Sequence, residues 1–140
     1  MVLDCSVAAK WILPEPDAAP ALALLDRYIK GDVLLIAPDL LLIEFAGLLA
    51  KRHRRKLLSA AEARAAFSFM AKFAPRLFDM APRLPAILDM ALRHRLSFWD
   101  CHYLLLGLDY HCPIVTADLR LFRTAKAGSP RVHLLQQARA

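Results

Sequence analysis

Short apolar runs alternate with longer segments of helical periodicity along this chain. Apolar runs without polar alternation predict strands buried on both faces, and apolar residues that recur every three or four positions predict helices. The predicted strands lie at 2–6, 33–38, 76–80, 113–118 and 131–135, and the predicted helices at 7–13, 17–31, 39–56, 60–73, 82–95, 99–108 and 119–127.

This alternation of strands and helices indicates a parallel sheet with crossover helices. The predicted fold class is therefore α/β, a three-layer α/β/α domain with a short, mostly parallel sheet flanked by helices. We expect a single domain over 1–136, followed by a C-terminal tail at 137–140. Two local signals mark helix ends: Ser59 with Glu62 forms a capping-box pattern, and Gly31 follows the second helix at a C-cap position.

Composition narrows the class of protein. Of the 140 residues 58% are apolar, yet no stretch of about 18 residues is free of polar breaks, so we expect no membrane span. We expect no signal peptide, because Asp4 follows after only three residues and no basic segment precedes an apolar run. The three cysteines lack paired spacing, which fits small buried residues in a reducing cytoplasm. The apolar surplus suggests a protein interface.

The chain carries a formal net charge of +6. Such a charge favours a polyanionic or acidic partner, which is a nucleic acid, an acidic protein or a membrane surface. Charge alone does not choose among these partners.

Four acids stand in apolar surroundings: Asp4, Glu44, Asp100 and Asp118. Each has a purely structural interpretation, since Asp4 and Asp118 are placed to cap helices and Asp100 completes a capping-box pattern with Ser97. Glu44 fits that interpretation least, because a carboxylate on an apolar helix face is costly unless it is paired or bound to a cation.

Considered together, the four acids predict a site. Asp4 and Asp118 follow predicted strands, and ligands of open α/β sheets bind beyond the carboxyl ends of the strands. Carboxylates that converge without basic neighbours raise one another's pKa values, and a divalent cation relieves the repulsion. Because all the ligands would be oxygen atoms, the expected ion is Mg²⁺, with Mn²⁺ as the other possibility.

The segments around these acids carry a resemblance to a known family. They read VLDCSVAAKW followed by PEP, then IEFAGLLAKRHRR, LSFWDCHYLLLG and IVTADLRLF. In their order and local context they resemble the motifs of PIN-domain ribonucleases, and within that family the VapC-type toxins of bacterial toxin–antitoxin pairs. The resemblance runs from residue 1 to about residue 136. The bulky Phe98-Trp99 before the third acid and the Gly107 that ends this motif depart from the usual pattern.

The resemblance implies a PIN fold and a Mg²⁺- or Mn²⁺-dependent endoribonuclease that hydrolyses RNA phosphodiester bonds by metal-activated water. Asp4, Glu44, Asp100 and Asp118 match the acidic metal ligands of the family. Ser6 and Thr116 match hydroxyl residues that orient carboxylates or water, and Tyr103 matches an aromatic position that we interpret as structural. A cognate antitoxin, whose basic side chain enters near the acids, and a homodimer are also implied.

Several basic residues are candidates for contacting RNA. Lys10, Arg120 and Arg123 lie near the suspected site in sequence and are the preferred candidates. The run KRHRRK at 51–56 ends the helix that carries Glu44. It fits a solvated helix C-terminus, an RNA contact or an antitoxin contact, and the sequence does not distinguish these.

Receiver domains, Rossmann proteins and P-loop proteins do not fit this pattern. A receiver domain needs two adjacent acids after its first strand and a late lysine, and the chain offers neither. Rossmann and P-loop proteins are excluded, because the chain has only four glycines and no glycine-rich phosphate loop. The remaining alternative is a non-catalytic RNA- or protein-binding module on the PIN fold.

Overall fold

The computed structural model describes residues 1–15, 18–125 and 131–137 of the chain. Within these ranges a five-stranded sheet has the strand order β3-β2-β1-β4-β5. Every pair of neighbouring strands is parallel. The strands are β1 (Val2–Leu3), β2 (Ile36–Pro38), β3 (Arg76–Phe78), β4 (Ile114–Thr116) and β5 (Val132–Leu134).

Helices connect these strands and cover the sheet. They are α1 (Cys5–Ala9), α2 (Ala18–Ile29), α3 (Leu40–Arg54), α4 (Ala60–Phe73), α5 (Leu84–His94), α6 (Phe98–Asp109) and α7 (Leu119–Ala125). Successive residues of β1, Val2 and Leu3, are both fully buried although their side chains point to opposite faces of the sheet. Both faces are therefore covered, and the predicted α/β class is confirmed.

Helix α6 lies in the middle of the molecule, because most of its surface is apolar. Its residues from Cys101 to Gly107 are all buried, and it contacts β1, β2 and β4. Helix α5 packs on its outer side, while α3 packs against α4 and contacts α1. These contacts place Glu44 of α3 and Asp100 of α6 on helices that flank the same sheet.

Two predicted helix ends are confirmed in detail. Ser59 and Glu62 form a complete capping box at the start of α4, where each side chain accepts a hydrogen bond from the backbone of the other residue. Gly31 follows α2 with φ 82°, a left-handed conformation that glycine adopts without steric cost.

Several predicted boundaries shift. The first strand ends at Leu3, because Asp4 caps α1 and draws Cys5 and Ser6 into that helix. A short 3₁₀ turn over Ala81–Arg83 precedes α5, where the sequence predicted one continuous helix. Predictions at residues 16–17, 126–130 and 138–140 lie outside the described residues. No helix in the described ranges has the length and apolar character needed to span a membrane.

Candidate metal centre at the sheet switch point

The carboxyl ends of β1 and β4 meet at the point where the order of the strands reverses. From β1 the chain adds β2 and β3 on one side, and later β4 and β5 on the other. Asp4 directly follows β1, and Asp118 comes two residues after the end of β4. The backbone N–H of Asp4 also donates to the carbonyl of Val115, with N and O 3.1 Å apart, which joins the two strands beside the site. This is the position at which open α/β sheets bind ligands.

One oxygen of Asp4 is held by hydrogen bonds from neighbouring hydroxyl groups. Thr116 Oγ1 donates to Asp4 Oδ2 over 2.8 Å, and Ser6 Oγ donates to the same oxygen. The backbone N–H of Ser6 also donates to Oδ2, so Asp4 caps α1 as its structural interpretation predicted.

Both hydroxyl groups are themselves fixed by the backbone after β4. Ser6 Oγ accepts from the N–H of Ala117 over 2.9 Å, and Thr116 Oγ1 accepts from the N–H of Asp118 over 3.0 Å. Because each accepted bond directs the hydroxyl proton elsewhere, Ser6 and Thr116 are arranged to donate to Asp4. Both hydroxyl groups thus hold Asp4 Oδ2, and their role in orienting a metal ligand stays a prediction.

Asp118 combines a capping role with a place beside Asp4. Its Oδ1 accepts from the backbone N–H groups of Arg120 and Leu121, at 2.7 and 3.4 Å, at the start of α7. Its Oδ2 lies 3.6 Å from the guanidinium of Arg120. Asp118 is therefore a helix cap, and its charge also acts on Asp4 and Asp100.

Asp100 does not form the capping box that its sequence pattern suggested. Ser97 is the N-cap of α6, but its side chain makes no capping hydrogen bond. Asp100 Oδ2 instead lies 3.2 Å from Arg120 Nη2, with 18% of its side chain exposed. The structural interpretation of Asp100 is wrong in this respect, and the residue faces the other acids instead of its own helix end.

Glu44 lies half-buried on α3 and is hydrogen-bonded to a residue of α6. The phenolic hydroxyl of Tyr103 donates a hydrogen bond to Glu44 Oε2 across 59 positions of sequence. Tyr103 itself is only 2% exposed. Sequence interpretation treated Tyr103 as a structural aromatic and missed this contact. The available signal was its position three residues after Asp100, which puts both side chains on neighbouring parts of one helix surface.

Burial and mutual repulsion raise the pKa values of three of these acids. Burial raises the pKa of Glu44 to about 7, and the charges of Asp4 and Asp100 add to the increase while the Tyr103 hydrogen bond opposes it. Burial also raises the pKa of Asp4, against the hydrogen bonds from Ser6 and Thr116. For Asp100 burial raises the pKa, and the charge of Arg120 opposes the increase. The acids predicted from sequence are thus electrostatically coupled.

The chemistry of this cluster suits a hard divalent cation, because every candidate ligand atom is a carboxylate oxygen. As arranged, no three acidic, imidazole or thiolate side chains in the described ranges stand close enough to hold one ion. The guanidinium of Arg120 lies against both Asp100 and Asp118 instead. A bound Mg²⁺ or Mn²⁺ would require the carboxylates to close together and Arg120 to move away.

The other basic candidates occupy different environments. Lys10 Nζ lies 3.4 Å from Glu15 Oε2, and Lys10 also lines a cavity of about 190 Å³ next to Ala117. Arg123 is exposed on α7. Within the basic run at 51–56, Arg52 forms an ion pair with Glu15, whereas most of the other side chains are exposed. Arg52 therefore joins α3 to Glu15, and the other charged side chains of the run are exposed to solvent.

The cysteines and one glycine near the acids also have clear surroundings. Cys5, Cys101 and Cys112 are free thiols, the first two buried and the third half-buried, so the expectation of full burial is wrong for Cys112. Gly47, one turn after Glu44, is exposed, and a Cβ added there would meet no described atom within 4 Å. Close helix packing thus does not explain Gly47.

The fold is similar to that of solved proteins. The structure titled PAE2754, from Pyrobaculum aerophilum, superposes with a TM-score of 0.73 at 20% identity, covering 96% of this chain and 90% of the other. FitAcB from Neisseria gonorrhoeae gives a TM-score of 0.63 at 19% identity, with coverage of 96% and 97%. At these identities the likeness concerns the fold.

Comparison with curated sequences finds relatives of higher identity. The VapC ribonuclease Mb0985 of Mycobacterium bovis and the ribonuclease VapC9 of Mycobacterium tuberculosis are each 32% identical to this chain over 130 residues. Each match covers 93% of this chain and 94% of the relative. The PIN domain family model matches residues 1–127. This chain therefore belongs to the PIN-domain family, as the resemblance of its acidic motifs indicated.

Proposed function

We propose that this protein is a Mg²⁺- or Mn²⁺-dependent endoribonuclease and the toxin of a toxin–antitoxin pair. The observation that carries the proposal is the convergence of Asp4, Glu44, Asp100 and Asp118 at the sheet switch point, where their charges act on one another. The similarity to relatives named VapC ribonucleases supports the reaction class. A purely structural role for all four acids would leave their shared location unexplained.

Each group in the site has a distinct part in this proposal. The bound ion would supply activation of water and neutralisation of charge at the phosphoryl group. Asp4, Glu44, Asp100 and Asp118 would hold it, while Ser6 and Thr116 keep Asp4 in orientation. In the hydrolysis, a water oxygen forms a new bond to phosphorus and the bond from phosphorus to the ribose oxygen breaks. The attacking water gives up one proton and the departing ribose oxygen takes up one, so the reaction consumes one water and balances.

The basic residues around the site would contact the RNA backbone without reading its sequence. Arg123 is exposed for such a contact, and Lys10 lines a cavity beside Ala117, the residue that precedes Asp118. Arg120 neutralises Asp100 and Asp118 in the arrangement described above. Once a cation takes over that role, the guanidinium becomes available to a phosphate group.

The test is a cleavage assay with an internal control on the same helix. Purified protein is incubated with labelled total RNA in Mg²⁺, in Mn²⁺ and in EDTA, beside an Asp100→Asn variant. Asp109→Asn is the matched control, because Asp109 also lies on α6 and also pairs with an arginine, Arg83, at 2.7 Å. We expect discrete cuts that need the metal, fall at least about 100-fold in Asp100→Asn and persist in Asp109→Asn.

Other results would point elsewhere. Equal cleavage by Asp100→Asn would indicate a contaminating nuclease instead of an activity of this protein. RNA binding without cleavage in either metal would favour the alternative, a non-catalytic RNA- or protein-binding module on the PIN fold.

We further propose an antitoxin as the protein partner. An open apolar cavity of about 650 Å³ runs between the end of α1 and helix α4. Its lining includes Trp11, Leu13, Leu57, Ala66 and Phe69. An open apolar cavity of this size suits an apolar peptide segment of a partner protein. The net charge of +6 favours a partner segment that also carries acidic residues.

We also propose a homodimer and a cytoplasmic location. Three leucines one turn apart on α5, Leu84, Leu88 and Leu92, are exposed although α5 packs on α6 with its other side. Such a stripe suits a second copy of the same helix, and sedimentation velocity measures the resulting mass. The three unpaired cysteines fit a reducing compartment.

A further inference from the structure

Tyr103 lies among the acids instead of merely filling the core. The charges of both Asp4 and Glu44 act on the phenol of Tyr103. The phenolic hydroxyl donates a hydrogen bond to Glu44 Oε2. A phenylalanine would fill the same apolar volume without a polar group that needs a partner. The tyrosine hydroxyl therefore has a role that apolar packing does not explain.

The Tyr103 hydroxyl is the donor in its bond to Glu44 Oε2, since an ionised carboxylate oxygen can only accept. It consequently presents a neutral donor to a carboxylate in a site that is otherwise crowded with negative charge.

The arrangement around Glu44 repeats the arrangement around Asp4. In Asp4, the hydroxyl groups of Ser6 and Thr116 hold Oδ2. In Glu44, the Tyr103 hydroxyl holds Oε2. Hydroxyl donors thus orient both inner carboxylates in the same manner.

We propose that Tyr103 is a positioning residue whose hydroxyl orients Glu44, across the α3–α6 contact, for binding of a divalent cation. The inference rests on the proposed function only for the identity of the bound ion. Hydrogen-bond partners of metal ligands fix ligand orientation, and their loss commonly lowers metal affinity by about 10- to 100-fold.

The experiment measures Mn²⁺ affinity in the absence of RNA, by electron paramagnetic resonance of free Mn²⁺. Tyr103→Phe removes only the hydroxyl, and we expect the Mn²⁺ dissociation constant to rise about tenfold. Tyr28→Phe is the matched control, because the Tyr28 hydroxyl also donates one hydrogen bond, to the carbonyl of Ala74 over 3.2 Å. That variant should keep the wild-type affinity.

A second arm separates positioning from a general effect on the fold. Tyr103→Phe is repeated in a Glu44→Ala background, where a residue that acts through Glu44 has nothing left to orient. We expect the Mn²⁺ affinities of Glu44→Ala and the double variant to agree within about twofold. Thermal unfolding in EDTA confirms that each variant is folded.

Two outcomes would overturn the inference: a Tyr103→Phe affinity within twofold of wild type, or an equal loss of affinity in the Glu44→Ala background. Wild-type RNA cleavage alongside either outcome would leave the proposed function standing. Conversely, coupling of Tyr103 to Glu44 in Mn²⁺ binding without any RNA cleavage would support the positioning role and reject the proposed activity.

Discussion

Asp4 and Asp118 each serve the fold and the candidate site at once. Asp4 caps α1, Asp118 caps α7, and both carboxylates still lie within range of the other acids. The structural and functional interpretations of these residues are therefore compatible, because a carboxylate has two oxygens and a cap needs only one. Asp100 and Glu44 differ, since their partners are the side chains of Arg120 and Tyr103.

The raised pKa of Glu44 predicts how stability depends on pH in metal-free buffer. Glu44 titrates near 4.5 when unfolded and at about 7 when folded, so between these values the native state binds more protons. The free energy of unfolding should therefore fall as pH rises through this window. The contribution of Glu44 is about 2 kcal/mol, after allowance for solvent screening of a half-buried group.

Chemical denaturation in EDTA at a series of pH values checks this prediction. Glu44→Gln cannot ionise and should lose much less stability across the window. Glu62→Gln is the control, because hydrogen bonds from Ser59 lower the pKa of Glu62, so removing its charge does not remove the decline. A decline of wild-type size in Glu44→Gln would contradict the assignment.

At the level of elements, the contacts of α3 and α6 decide how the acids are presented. Helix α6 is apolar on most of its surface and is buried against β1, β2 and β4. Its close approach to β4 depends on Gly107, because a Cβ there would lie 3.0 Å from Ile114 Cγ1 and 3.2 Å from the Cys112 carbonyl oxygen. Gly47 on α3 has open space in the same test.

The two helical glycines should therefore respond oppositely to alanine. Gly47→Ala is expected to raise the free energy of unfolding by about 0.5 to 1 kcal/mol, because alanine has the higher helix propensity and meets no neighbour. Gly107→Ala gains the same propensity but must displace Ile114 or the backbone, so a net loss of about 1 kcal/mol is expected. Urea denaturation of both variants measures the difference, and a more stable Gly107→Ala would refute the packing argument.

At the level of the whole molecule, the net charge of +6 coexists with an acidic centre. Several cations are partly neutralised by ion pairs, with Arg120 against two acids and Arg52 and Lys10 against Glu15. Exposed side chains such as Arg123 are better placed to neutralise phosphate groups. RNA affinity should accordingly depend on these surface charges and decline with salt.

Arg123→Ala is expected to reduce the slope of log affinity against log salt concentration by about 0.7 for single-stranded RNA. Arg93→Ala is the control, since Arg93 is exposed on α5 and already pairs with Asp89 at 2.9 Å. Fluorescence anisotropy of a labelled RNA in EDTA measures binding without metal-dependent cleavage. An unchanged slope for Arg123→Ala would exclude that residue as a phosphate contact.

Local patterns in the sequence determined the class of fold, the order of its elements and the four acids that converge. Apolar runs, helical periodicity and capping residues act over a few positions, which is why the Ser59–Glu62 box and the Gly31 turn were predicted correctly. The same locality misled the interpretation of Asp100, because the capping-box pattern with Ser97 is present in the sequence and absent from the structure.

Only the tertiary structure decided what each acid contacts. The bond from Tyr103 to Glu44 joins residues 59 positions apart, and the bond from Thr116 to Asp4 joins residues 112 apart. Such contacts depend on how α3 and α6 pack on the sheet and on the pairing of β1 with β4. Local spacing, such as that between Asp100 and Tyr103, places a side chain on a helix face but does not specify its partner. The sequence therefore predicted four carboxylates whose charges act on one another in the structure, and their role as metal ligands stays a prediction. Packing determined which oxygens are held by hydroxyl groups and where Arg120 lies.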